Sequence, residues 1–220
     1  MDPMVVELGL RERKKQRTRE LIAETARRLF AERGFERVTV AEVARAAEVA
    51  EKTVFNYFPT KEDLVYWRLE SFEEELLGAI RERAPGESIL AAFARFILQQ
   101  RGLLATRDPE AGERLAAVTR MISDSPALRA REQQVFARYT DSLAHLIADE
   151  TGARAGDARP LVAANAMMGV HRTLVAYTRG RVAEGAERAG LAREVRARTK
   201  QALELLENGL GDYGVKRSGP

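Results

Sequence analysis

Val38-Thr39-Val40-Ala41-Glu42-Val43-Ala44-Arg45-Ala46-Ala47-Glu48-Val49-Ala50-Glu51-Lys52-Thr53-Val54-Phe55-Asn56-Tyr57-Phe58-Pro59-Thr60-Lys61 is the stretch whose reading decides the fold. Thr39 sets a hydroxyl ahead of an apolar run, with Glu42 three residues on, the spacing of a capping box. The two-turn helix opened there puts Val40, Val43, Ala44 and Ala47 on one face. A break at Glu48-Val49-Ala50 leads to a second helix, about Glu51 to Phe58, which Pro59 ends. Two short helices joined by a three-residue turn describe a helix-turn-helix unit. On the second of them Val54, Phe55 and Phe58 are expected to face inward. Lys52, Thr53, Asn56 and Tyr57 fall on the other side, a face with a cation, two hydrogen-bonding groups and a phenol. Such a face suits base edges and phosphates in a major groove; it is equally the outer face of an ordinary amphipathic helix.

The surroundings tilt that balance. Upstream, Leu21, Ile22, Thr25, Ala26, Leu29 and Phe30 repeat at helical period, and Gly34 is placed to end that helix. Ahead of them Arg11, Arg13, Lys14, Lys15, Arg17 and Arg19 stand against one anion, Glu12. That run carries +5 of a chain total of only +3, so the remainder sums to −2. Alone it reads as a solvated basic tail; beside a helix-turn-helix it reads as a phosphate-binding arm. Lys61 adds a further cation at the start of a fourth helix, where Thr60 and Asp63 repeat the capping pattern.

Further along, helical period continues. Ala84-Pro85-Gly86 punctuates the chain after about Arg83. Helices are then expected at about Glu87–Thr106, Pro109–Ser123, Pro126–Glu150, Ala158–Thr178 and Glu187–Leu210, with Asp108, Ser125 and Asp157 marking starts. No strand alternation, internal repeat or low-complexity tract is present. The expected fold is all-α with about nine helices. Residues 11–67 hold the helix-turn-helix, 68–210 the later helices and 211–220 a frayed tail.

The 220 residues are 45% hydrophobic and 31% charged, with no cysteine. That balance supports a packed core and excludes a disulfide framework, thiolate metal ligands and a Cys nucleophile. No apolar run approaches the ~20 residues of a membrane span, and the first residues lack a secretory pattern, so a cytoplasmic protein is expected. His145 and His171 are the only histidines. Neither has a second ligand at helical spacing, and each is expected to be a buried or capped core histidine. No catalytic fingerprint is present, so no enzyme activity, cofactor or metal is expected. The competing readings are a small helical enzyme or a ligand carrier without DNA readout. A membrane-surface helix is disfavoured, because the Leu21–Phe30 face is already needed by the three-helix core.

The run from Lys15 to Leu64 resembles the DNA-binding domain of the TetR family. Phe55-Asn56-Tyr57-Phe58-Pro59-Thr60-Lys61-Glu62 is its most specific part. The resemblance implies a homodimeric, DNA-binding repressor. Thr39, Tyr57 and Lys61 would then contact phosphates, and Lys52, Thr53 and Asn56 would face bases. Arg17 joins this set from the basic run. Phe30, Phe55 and Phe58 would hold the three-helix core. Two departures stand out: Glu48 and Lys52 replace glycines common in the family. Glu48 must accept whatever backbone angle the turn requires, and Lys52 alters operator preference.

Ala84–Glu87 and Arg120–Arg129 also resemble a TetR subgroup that includes the mycofactocin regulator, associated with acyl-CoA-like ligands. On that resemblance Trp67, Phe93, Phe96, Met121, Phe136, Tyr139, Met167, Met168 and Tyr177 would line an apolar ligand cavity. Plain core packing explains the same side chains individually. Arg95, Arg120 or Arg172 would meet an anionic group of the ligand, or are surface arginines. Ala163, Ala164, Ala166 and Gly169, with Leu203, Leu206 and Leu210, suit a twofold four-helix interface or packing within one chain. The expected partners are a palindromic double-stranded DNA operator, a small-molecule inducer and a second copy of the chain, with no membrane.

Overall fold

The computed structural model describes residues 3–99, 104, 106 and 108–209, with side chains except for residues 3–8, 10 and 68–70. Among the described residues there are nine helices and no strand: α1 (Pro3–Arg33), α2 (Val40–Ala46), α3 (Glu51–Tyr57), α4 (Asp63–Arg81), α5 (Ile89–Leu98), α6 (Ala111–Asp124), α7 (Pro126–Thr151), α8 (Arg159–Ala183) and α9 (Arg188–Asn208). The expected tail, residues 211–220, lies outside the described residues, as does Leu210.

Contacts group the chain into two compact units, Met1–Ser71 with Met121–Glu132, and Phe72–Arg120 with Gln133–Pro220. The first is built on α1, whose residues Ile22, Ala26 and Phe30 are buried at helical spacing. Gly34 follows with φ 83°, and its N–H donates to the carbonyl of Phe30. Phe30 meets Phe35 edge to face, with centroids 5.1 Å apart. Val38, Val43, Ala44, Val54, Phe58 and Leu64 are buried with them. The basic run is not a loose arm, because residues 11–19 are turns of α1.

In the second unit α9 packs along α8 and against α5. Leu76, Ile80, Phe93, Tyr139, Leu143, Met168 and Leu191 are almost fully buried. Helix α5 is shorter than its periodicity predicts, starting at Ile89 and ending at Leu98. Its start is displaced because Glu87 turns back, accepting from the Ala84 N–H, while Ser88 caps the helix through the Ala91 N–H at 3.0 Å. At its end Gln99 is extended, and the Leu98 carbonyl accepts from Arg196 of α9 at 2.8 Å. Thr106, expected to be helical, is not; its carbonyl accepts from Arg188. Helix α6 starts at Ala111, two residues after Pro109, where Asp108 accepts from the Glu110 N–H. Helix α8 runs past Thr178 to Ala183, its chain turning only near Gly185, with φ 81°.

Among the described residues no helix is long and apolar enough to cross a membrane.

Candidate nucleic-acid interface

The helix-turn-helix is set by its caps. Thr39 and Glu42 close a reciprocal box: the Glu42 N–H donates to Thr39 Oγ1 at 3.2 Å, and the Thr39 N–H donates to Glu42 Oε2 at 2.8 Å. The Thr39 hydroxyl also donates to Glu42, and Arg33 pairs with Glu42 at 2.7 Å. These donors, the Thr39 backbone first, hold the Glu42 carboxyl down at about 2.

Helix α2 ends in a Schellman turn. The Glu48 N–H donates to the Arg45 carbonyl and the Val49 N–H to the Ala44 carbonyl. The position between them needs a left-handed backbone, and Glu48 adopts it with φ 55°. It is the only non-glycine with positive φ among the described residues. The strain expected for a side chain there is therefore present.

Helix α3 and its C-cap bury Val54 at 0% and Phe58 at 1% exposure. Phe55 does not join them. Expected to face inward with the core, it is instead 45% exposed. The reason is geometric: residues four apart share a face, whereas Phe55 is rotated about 100° from Val54. A helix of seven residues offers one inner stripe, and Arg19 covers the Phe58 ring with its guanidinium 5.6 Å from the centroid. The outward face is thus Phe55, Lys52 and Asn56, all exposed, flanked by half-buried Thr53 and Tyr57. Phe55 is the member of this exposed face that sequence reasoning missed; the helical wheel alone, without the pull of hydrophobicity, places it beside Lys52.

Thr39 and Arg17 are exposed. Lys61 is half-buried, its ammonium 4.2 Å from the centroid of the Phe35 ring. Arg11, Arg13, Lys14 and Lys15 are exposed along α1, with Lys15 3.6 Å from Glu12. Every cation of the run except Arg19 therefore keeps a largely open side chain.

Of the expected ligand-lining set, Trp67 and Met121 belong to the first unit and are half-buried. The other seven belong to the second. There Phe93, Phe96, Phe136, Tyr139, Met167 and Met168 are buried. Tyr177 is half-buried and donates its hydroxyl to Glu194 at 3.0 Å. A ring cluster that the sequence did not single out centres on Phe72. Its ring stacks on His171 at 4.6 Å and on Tyr139 at 5.6 Å, and meets Phe96 edge-on at 5.4 Å. Burial among these rings pushes the His171 imidazole down to about 4. His145, expected to be buried or capped, is exposed on α7. Arg95 pairs with Glu87 at 3.0 Å, whereas Arg120 and Arg172 are exposed.

Residues 22–66 match the family model described as bacterial regulatory proteins of the tetR family. Residues 87–211 match the one described as the MftR C-terminal domain. The HTH-type transcriptional regulator TcmR of Streptomyces glaucescens is 31% identical over 146 residues, 66% of this chain and 65% of that protein. The match thus spans just under two thirds of that relative's length. NalD, described as the secondary repressor of the MexAB-OprM efflux pump in Pseudomonas aeruginosa, superposes with a TM-score of 0.53 at 19% identity. That superposition covers 85% of this chain and 97% of NalD. FadR from Bacillus subtilis, solved with stearoyl-CoA, gives 0.50 at 22% identity over 85% of this chain and 96% of FadR. These two structures speak to the fold alone. With a family helix-turn-helix at one end and an MftR-type domain over more than half its length, the chain belongs to the TetR family of bacterial regulatory proteins.

Proposed function

We propose that this protein is a homodimeric, sequence-specific DNA-binding regulator of transcription, a repressor released from a palindromic operator by a small ligand of acyl-CoA-like chemistry. The observation that carries the reading is the outward face of α3, with Phe55, Lys52 and Asn56 exposed together, in the same compact unit as the exposed cations of α1. Lys52 and Asn56 offer donors and an acceptor to base edges, and Phe55 an apolar surface for a thymine methyl. Arg17, Thr39, Tyr57 and Lys61 would serve phosphates, and the α1 cations would gain affinity by displacing counterions.

A second copy is supported by α8. Of the residues expected at a twofold interface, Ala164 and Leu203 are buried within the chain and Ala166 is exposed, while Leu161 and Val162 are large apolar side chains 48% and 64% exposed. Small residues let two helices approach closely, and a twofold axis would set the recognition helices about 34–36 Å apart, one DNA turn. For the ligand, the aromatic and methionine side chains of the second unit suit an acyl chain of the acyl-CoA class. Release then follows only if the ligand binds better to the DNA-incompetent arrangement. The protein would work in the cytoplasm and needs no cofactor.

A gel shift on DNA upstream of the gene, with and without long-chain acyl-CoA, tests this. A discrete complex that resists non-specific competitor and dissolves with ligand is expected. Phe55→Ala should weaken that complex and relax its preference at one base pair, leaving the melting temperature nearly unchanged. Ligand binding without a specific complex would replace the regulator with a ligand carrier.

A further inference from the structure

We propose that Arg131 is a positioning residue for the DNA-binding face: acting through Asp63, it holds the α3–α4 turn that carries Lys61. Its relevance to DNA rests on the regulator reading above.

Residues 121–132 lie far downstream of the helix-turn-helix but belong to the same compact unit. Three polar contacts tie them to it. Ser125, 2% exposed, donates its hydroxyl to Glu36 Oε1 at 2.6 Å. The Tyr66 hydroxyl donates to the carbonyl of Leu128 at 2.9 Å. Arg131, 68 positions from Asp63, donates to its Oδ1 through Nε at 2.8 Å and Nη2 at 2.7 Å.

The footing of these contacts gives them meaning. Asp63 uses its other oxygen, Oδ2, to accept from both the N–H of Thr60 at 3.0 Å and the hydroxyl of Thr60 at 2.9 Å. One carboxylate therefore closes the α3–α4 turn and is itself gripped by a guanidinium. Glu36, the target of Ser125, sits in the α1–α2 turn beside Phe35, and Phe35 is the ring under Lys61. The turns on either side of α2 and α3 thus stand on one segment. A carboxylate whose two oxygens face different donors cannot rotate, and its side chain here is only 12% exposed. Without Arg131 this little-exposed carboxylate loses the partner that fixes its plane. A phosphate-contacting lysine is useful only where it is pre-placed.

The test uses full-length protein and the variants Arg131→Ala, Arg131→Lys and Asp63→Asn. Amide hydrogen exchange is read over residues 57–66, and operator affinity is titrated at several salt concentrations. Arg131→Ala should exchange about tenfold faster in that stretch and bind operator about tenfold more weakly, a change of one decade in Kd. The salt slope should not change. Arg131→Lys, which keeps a cation for Oδ1, should restore most of both. Asp63→Asn should reproduce the alanine variant, and the double variant should add little. Wild-type exchange in Arg131→Ala would overturn the proposal. A salt slope shallower by about 0.9 together with wild-type exchange would mark Arg131 as a direct phosphate ligand instead. Should Arg131→Ala fail to fold, Arg131→Lys and Asp63→Asn carry the decision. A wild-type chain with no specific complex sinks the regulator reading, while exchange in the same variants still decides whether Arg131 holds the turn.

Discussion

Glu48 holds a left-handed backbone at φ 55°, where a Cβ crowds the following carbonyl. The penalty for an L side chain there is about 1–2 kcal/mol, and glycine escapes it at some cost in unfolded-chain entropy. Glu48→Gly should therefore stabilise the protein by about 0.5–1 kcal/mol in denaturant melts. Glu48→Ala, which keeps the Cβ, should bring no gain, and equal behaviour of the two would show that the turn stores no strain. This residue was legible through the family resemblance, because Glu48 stands in the turn where glycine is common. Phe55 was not. Its hydrophobicity argued for the core, and only the angular step from Val54 argued against it. On so short a helix one stripe satisfies the packing, and the next aromatic is left outside.

Helix boundaries divide along the same physical line. The starts of α2, α4 and α7 were readable, since Thr39 with Glu42, Thr60 with Asp63, and Ser125 before Pro126 are local devices that act within three residues. The end of α5 was not readable, because the Leu98 carbonyl is satisfied by Arg196, 98 residues away. Local bonds also set an acid response for α2. Glu42 is held at about 2 in the folded state against an ordinary 4.5. Its contribution is fully present above pH 4.5 and is lost as pH falls towards 2. Glu42→Gln should flatten the melting temperature across that window relative to wild type, and an unchanged slope would assign the acid loss to other carboxylates.

At the scale of the whole molecule a second, separate pH window opens. His171 stays neutral in its ring cluster down to about pH 4, while the unfolded chain takes up the proton near 6.5. Stability should therefore fall as pH drops from 6.5 to 4 and then level off, with a ceiling of about 3 kcal/mol at ~1.36 kcal/mol per unit. His171→Phe keeps the stacking and removes the proton site, so its melts should lose that slope. A slope that survives in the variant would mean that the ring cluster opens before the imidazole titrates. The fold class and the helix-turn-helix were legible because their signals are periodic and local. The Phe72 cluster was not, because its rings come from α4, α5, α7 and α8 and share no sequence spacing.

The basic run is already wound into α1, and this governs what its cations can do. A disordered arm must give up conformational freedom when it meets phosphate, and that ordering subtracts from every contact it makes. Residues 11–19, fixed in a helix that continues into the core through Ile22 and Phe30, have already met that cost in folding. On the proposed function their charges would approach DNA as rungs on a rigid rod at about 5.4 Å per turn. Association by this edge would then be a docking event and not a folding one, with little heat-capacity signature of its own.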